Sequence, residues 1–128
     1  MSTTTDPLDR TQIDLLLSLD EGAGDALAEI IGEFRTLSWQ EREDLRREVR
    51  EGDHTALACT SHSLKGASAN VGAQDLAQVC GELEMHARHV ELVGTDEFAD
   101  PDALMERFET EFTRVQVALM LLVPEREH

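Results

Sequence analysis

Apolar positions in this chain recur at three- and four-residue steps rather than in alternation. That spacing predicts amphipathic helices. A short helix is expected over 8–19, carrying Ile13, Leu16, Leu17 and Leu19, with Asp9 or Thr11 as N-cap and a break at Glu21-Gly22-Ala23-Gly24. The stripe Leu27, Ile30, Ile31, Phe34, Leu37, Leu45 and Val49 predicts one long helix over 25–50, with a possible kink near Ser38. Gly52-Asp53 ends it, and Asp53 is a good N-cap for the next helix. That third helix, over 54–71, has Leu57, Leu64 and Val71 as its core stripe. A fourth over 74–89 turns Leu76, Val79, Cys80, Leu83 and Ala87 inward, and a loop is expected over 91–99. Asp100 then caps a last helix that begins at Pro101, where a missing N–H does no harm. Its inner stripe is Leu104, Phe108, Phe112, Val115, Leu119 and Leu122, and Pro124 stops it.

Four long amphipathic helices on short connections predict an all-α, antiparallel four-helix bundle, with the short N-terminal helix covering one end. The expected organisation is a disordered leader over 1–7, one domain over 8–123 and a tail over 124–128. With 128 residues, 41% of them hydrophobic, such a domain can bury a core without metals or disulfides.

Charge narrows the range of partners. The formal net charge is −16, which disfavours nucleic acid and anionic membranes. The one basic cluster, Arg42, Arg46, Arg47 and Arg50, is interleaved with acids and reads as an ion-paired helix face. No apolar run approaches the roughly 20 residues of a membrane span. The N-terminal residues lack the charge and apolar pattern of a signal peptide, so the expected location is the cytoplasm. The cysteines Cys59 and Cys80 read as reduced thiols that could face each other between the third and fourth helices.

The candidate chemistry lies in the third helix. His62 is followed by Lys65, the only lysine, and then by Gly66, a glycine in a helix interior that costs about 1 kcal/mol against alanine. At about 100° per residue from Leu57, His62 falls near 140°, Lys65 near 80° and Gly66 near 180°, all off the core direction. Thr55, Ala58, Cys59, Gly66 and Ala69 surround the histidine on that face, and all are small. A solvent face normally carries long charged side chains. This one leaves a nucleophilic imidazole open to close approach, with a cation to neutralise an anionic group on it and a glycine to clear space for that group. Ser68 falls near the core direction, where a hydroxyl bonded to a preceding carbonyl is as good a reading as a role beside His62. His86 and His89 with Glu82 suggest a metal site, but neither histidine stands three residues after a glutamate, so no metal is expected. Ile13 and Leu17 are candidates for an apolar docking patch near His62, together with the small residues Ala58, Cys59 and Ala69.

The run His62-Ser63-Leu64-Lys65-Gly66, with Ser68 and Gly72-Ala73 beyond it, resembles the signature of histidine-containing phosphotransfer domains. Gly52-Asp53 before it, Leu83-Glu84 after it and Phe34 in the long helix are similar too, so the likeness spans about 8–122. The resemblance implies a four-helix bundle that relays phosphoryl groups between receiver-domain aspartates or from a hybrid histidine kinase. His62 would be phosphorylated, Lys65 would stabilise the phosphohistidine and Gly66 would leave room for it. It also implies a phosphotransfer intermediate rather than an autonomous kinase, with no cofactor of its own and Mg²⁺ supplied by the receiver. A bundle that docks and regulates a receiver or kinase without carrying phosphate is the alternative. Glu84 departs from the pattern, since some members carry glutamine there and a carboxylate repels phosphate unless it is paired. Arg88, one turn on, and Lys65 are the candidates to pair with it, and Arg88 is also a possible assisting residue.

Overall fold

The computed structural model describes residues 6–18 and 25–122. Leu19, the break at 21–24, Pro124 and the tail over 124–128 lie outside the described residues, as do residues 1–5 of the leader. The helices are α1 (Arg10–Ser18), α2 (Asp25–Glu51), α3 (His54–Asn70), α4 (Gln74–Val93) and α5 (Pro101–Leu122). In the bundle α3 packs on α4, α2 packs on α3 and α5, and α4 packs on α5. The connections α2–α3 and α3–α4 are too short for anything but antiparallel neighbours.

The predicted caps form. Asp53 accepts a hydrogen bond from the Ala56 N–H at 3.1 Å to start α3. Asp100 does the same for Asp102 at 3.0 Å, with Pro101 as the first residue of α5. Asp9 accepts from Thr11 at 3.0 Å ahead of α1. The α3–α4 turn requires Gly72, whose φ is +80° and whose hypothetical Cβ would lie 3.1 Å from the Asp9 carbonyl. This close approach lets the Asp9 N–H bond the Gly72 carbonyl at 2.6 Å and seats α1 on the turn.

One element end and one stripe differ from expectation. The α4 helix continues through residues 91–93, which were expected to be loop, until Gly94 caps it at φ +84°. As expected, α2 is one helix, continuous past Ser38, which is buried inside the bundle. The buried stripe of α2 runs Phe34, Ser38, Glu41, Leu45, Glu48, while Leu37 is exposed. The phase of the helix against its neighbours, not apolarity, selects these positions, and each polar member has a partner. The Ser38 hydroxyl accepts from Gln116 at 2.9 Å, the Thr60 hydroxyl donates to Glu48 at 2.9 Å, and Ser63 hydrogen-bonds Glu41. The remaining core is as expected, with Leu57 and Leu64 of α3 and Val71 just beyond its end in one cluster with Leu76, Val79, Leu83, Phe108 and Phe112.

Candidate functional site

α3 presents His62 to solvent, its side chain 63% exposed. The angular count explains this, because the stripe that enters the core lies on the opposite sector of the helix. What the count does not show is the neighbour across the α3–α4 groove. His62 Nδ1 lies 3.0 Å from Oε2 of Glu84, and Lys65 Nζ donates to Oε1 of the same carboxylate at 2.9 Å. Arg88, four residues along α4, donates to Oε2 through Nε at 2.9 Å and its NH2 group at 2.8 Å. One nearly buried carboxylate thus gathers the histidine, the lysine and the arginine.

The electrostatics follow from this geometry. Burial pushes the Glu84 carboxyl up, but hydrogen bonds from Lys65 and Arg88 and the charge of Lys65 outweigh it and hold it at about 2. At neutral pH Glu84 is a carboxylate and can only accept hydrogen bonds. The hydrogen in the His62–Glu84 contact therefore sits on Nδ1, which leaves a lone pair on Nε2. Among the described residues nothing hydrogen-bonds Nε2, and the His62 side chain as a whole is exposed.

A Cβ on Gly66 would meet nothing within 4 Å, so the space one turn along from His62 is open. Gly81 of α4 escaped the sequence reading. A Cβ there would sit 3.3 Å from Lys65 Cδ, so this glycine makes room for the lysine stem on its way to Glu84. A second glycine in a helix interior, three residues before Glu84, was the available signal.

Several candidate residues lie elsewhere. Ser68 is fully buried on the core side of α3, away from the imidazole, and its hydroxyl has no partner among the described residues. It hydrogen-bonds neither the His62 ring nor a preceding carbonyl. Ile13 and Ala58 are each 1% exposed and offer no docking surface. Ile13 is drawn inward as α1 seats on the α3–α4 turn. Ala58 belongs to the buried core cluster, and nearby the Thr55 hydroxyl donates to Glu91 of the extended α4 at 2.8 Å. Leu17 and Cys59 are exposed and Ala69 is partly so. Cys80 is buried, and burial pushes its thiol up to about 12.

His86 is buried and bonds Asp96 at 3.0 Å, while Glu82 is held by Arg107 at 2.7 Å. Among the described residues no three His, Cys, Asp or Glu side chains form a metal-binding group. Three arginines of the α2 cluster are ion-paired, Arg42 with Glu109 at 2.8 Å, Arg46 with Glu43 at 3.6 Å and Arg47 with Asp44 at 3.2 Å. Among the described residues no helix is long and apolar enough to cross a membrane.

The Hpt domain family matches residues 29–118, a span that holds α3, α4 and the whole His62 cluster. The chain belongs to the Hpt family. It is a histidine phosphotransfer protein of the phosphorelay type. A similar solved structure is that of histidine-containing phosphotransfer protein B (HptB) from Pseudomonas aeruginosa PAO1. The two share 34% sequence identity with a TM-score of 0.76, over 92% of this chain and 95% of that one. A comparison with curated protein sequences gives no match. As an Hpt domain, the chain uses a bundle that exposes one helix face, and the cluster described above lies on that face.

Proposed function

We propose that His62 is the residue that accepts and passes on the phosphoryl group. The observation that carries this reading is the imidazole itself, exposed to solvent with Nδ1 on Glu84 and no hydrogen-bond partner on Nε2 among the described residues. Nε2 would attack the phosphorus of a receiver's aspartyl phosphate, and the aspartate would leave as a carboxylate. Lys65 is within reach to neutralise the transferred group, and Gly66 leaves its side of the ring clear. Arg88 stays on Glu84 and does not contact the phosphate. Mg²⁺ would come from the receiver. On this reading the partners are receiver domains and a hybrid histidine kinase, met in the cytoplasm, and the single domain spans 8–123. Leu17, Cys59 and Ala69 are the members of the docking set that remain accessible.

The test is transfer from a receiver charged with acetyl phosphate in Mg²⁺, scored as acid-labile, base-stable label. The wild-type chain takes up label and His62→Gln takes up none. Label on His62→Gln at the wild-type level would remove His62 from the reaction. Binding of the receiver without any label on the wild type would favour a docking module instead.

A further inference from the structure

We propose that Glu41 and Glu48 make the contact between α2 and α3 a proton-sensitive seam, which grips the helix carrying His62 more tightly when the two carboxyl groups take up protons. The seam is a property of the fold and holds whether or not His62 carries phosphate.

Both residues lie on the inner face of α2, two turns apart, where a bundle packs apolar side chains. Glu41 is 8% exposed and Glu48 is 4% exposed. Each has one hydrogen bond from α3. The Thr60 hydroxyl donates to Oε2 of Glu48 at 2.9 Å, and Ser63 hydrogen-bonds Glu41. Thr60 stands two residues before His62 and Ser63 one after it. On the angular count they fall near 300° and 240° from Leu57, on the flank of α3 away from Lys65. The second oxygen of each carboxyl, Oε1, is buried and has no hydrogen-bond partner among the described residues.

A carboxyl held this way is costly as an anion, because one hydrogen bond does not replace the water that a buried charge has lost. Burial pushes both carboxyls above their ordinary range. The hydrogen bonds from Ser63 and Thr60 oppose the rise, and the charge of Asp44, between the two on α2, adds to it. Arg47, 3.9 Å from Glu48, pulls that carboxyl down, and Asp53 ahead of α3 pushes it up. From α4 the group that faces Glu41 is Cys80, a thiol that burial keeps protonated. From α5, Glu109 meets α2 and is held by Arg42 and Arg46.

The neutral form keeps both ties. A carboxylic acid can donate to the Thr60 or Ser63 oxygen, and the hydroxyl then turns its hydrogen to the carbonyl one turn earlier in α3. A carboxyl raised in the folded state contributes stability that is complete below its unfolded range and is lost as pH rises through its folded value. Acidification from neutrality therefore tightens α2 on α3, the opposite of its effect on Glu84.

Carbon-13 titration of the glutamate carboxyls reads the seam in the wild-type chain, without any variant. Glu41 and Glu48 should titrate above the midpoint that glutamates show in the urea-unfolded chain, and midpoints at or below it would overturn the inference. Thr60→Val should raise the Glu48 midpoint further and leave that of Glu41 in place, and Ser63→Ala should do the reverse. Midpoints that ignore the loss of both hydroxyls would overturn the seam as described. Backbone hydrogen exchange, corrected for its intrinsic pH dependence, measures the grip itself. Amides of 41–48 and 57–64 should be about tenfold better protected at pH 5 than at pH 8, the effect of one poorly satisfied buried group. The double variant Glu41→Gln, Glu48→Gln should lose this dependence and keep the high protection at pH 8. The same pH dependence in the double variant would assign it to other groups and sink the proposal.

Discussion

Gly66 is where stability and function pull apart most clearly. The residue lies in the interior of α3 and is exposed, and a Cβ built there meets nothing within 4 Å. Its φ is not positive, so alanine fits without strain. Gly66→Ala should therefore stabilise the bundle by about 0.8–1 kcal/mol, the helix-propensity difference, through lost backbone freedom in the unfolded chain. For a chain of this size that gain corresponds to a rise of roughly 3–6 °C in melting temperature. Gly66→Leu should keep most of the gain, because leucine is nearly as good a helix former.

Transfer should respond in the opposite sense. A helical Cα–Cβ bond tilts toward the N-terminus, so a side chain at 66 leans back over His62, four residues earlier. The alanine methyl should slow transfer a few-fold, and leucine by about tenfold or more, since small displacements of reacting groups are costly. Thermal melts followed by circular dichroism and single-turnover transfer from a charged receiver measure the two effects separately. Unchanged transfer in the leucine variant would refute steric clearance as the reason for this glycine. A destabilised alanine variant would refute the propensity argument.

The acid limb of stability should carry the Glu84 signature. Its carboxyl is held at about 2 rather than 4.5, so its contribution is present above pH 4.5 and is lost as pH falls toward 2. The full shift would amount to about 3 kcal/mol. Lys65 and Arg88 are 41% and 54% exposed, so screening lowers the expected value to about 1–1.5 kcal/mol. Burial raises Glu41 and Glu48, which act in the opposite sense, so the useful quantity is the gap between wild type and Glu84→Gln in urea titrations. That gap should shrink steadily between pH 5 and 2, and a constant gap would contradict the ion-cluster account. Ser68→Ala removes a buried hydroxyl with no partner and should raise stability by about 1 kcal/mol with transfer unchanged. Impaired transfer in that variant would return Ser68 to the site.

The sequence alone determined the helices and the direction of His62, because both are properties of a single segment. Caps such as Asp53 and Asp100 bond residues two or three positions away, and a 3.6-residue period states which sector of α3 opposes Leu57 and Leu64. The outward imidazole, the lysine one turn on and the clearing glycine were legible on those grounds. Which sector a neighbouring helix covers was not, since it depends on packing between segments distant along the chain. Ile13 and Ala58 looked available and are covered, and Leu37 looked like core while Ser38, Glu41 and Glu48 occupy the inner face of α2. Glu84 shows the difference most sharply. Along the chain it was an acid where a phosphate must approach, with Arg88 and Lys65 as possible partners. Across the α3–α4 groove it meets both, and it also meets His62, a contact that no spacing within α4 reveals. A charge acquires its meaning from the groups that neutralise it, and here those groups are brought together only by the packing of two helices.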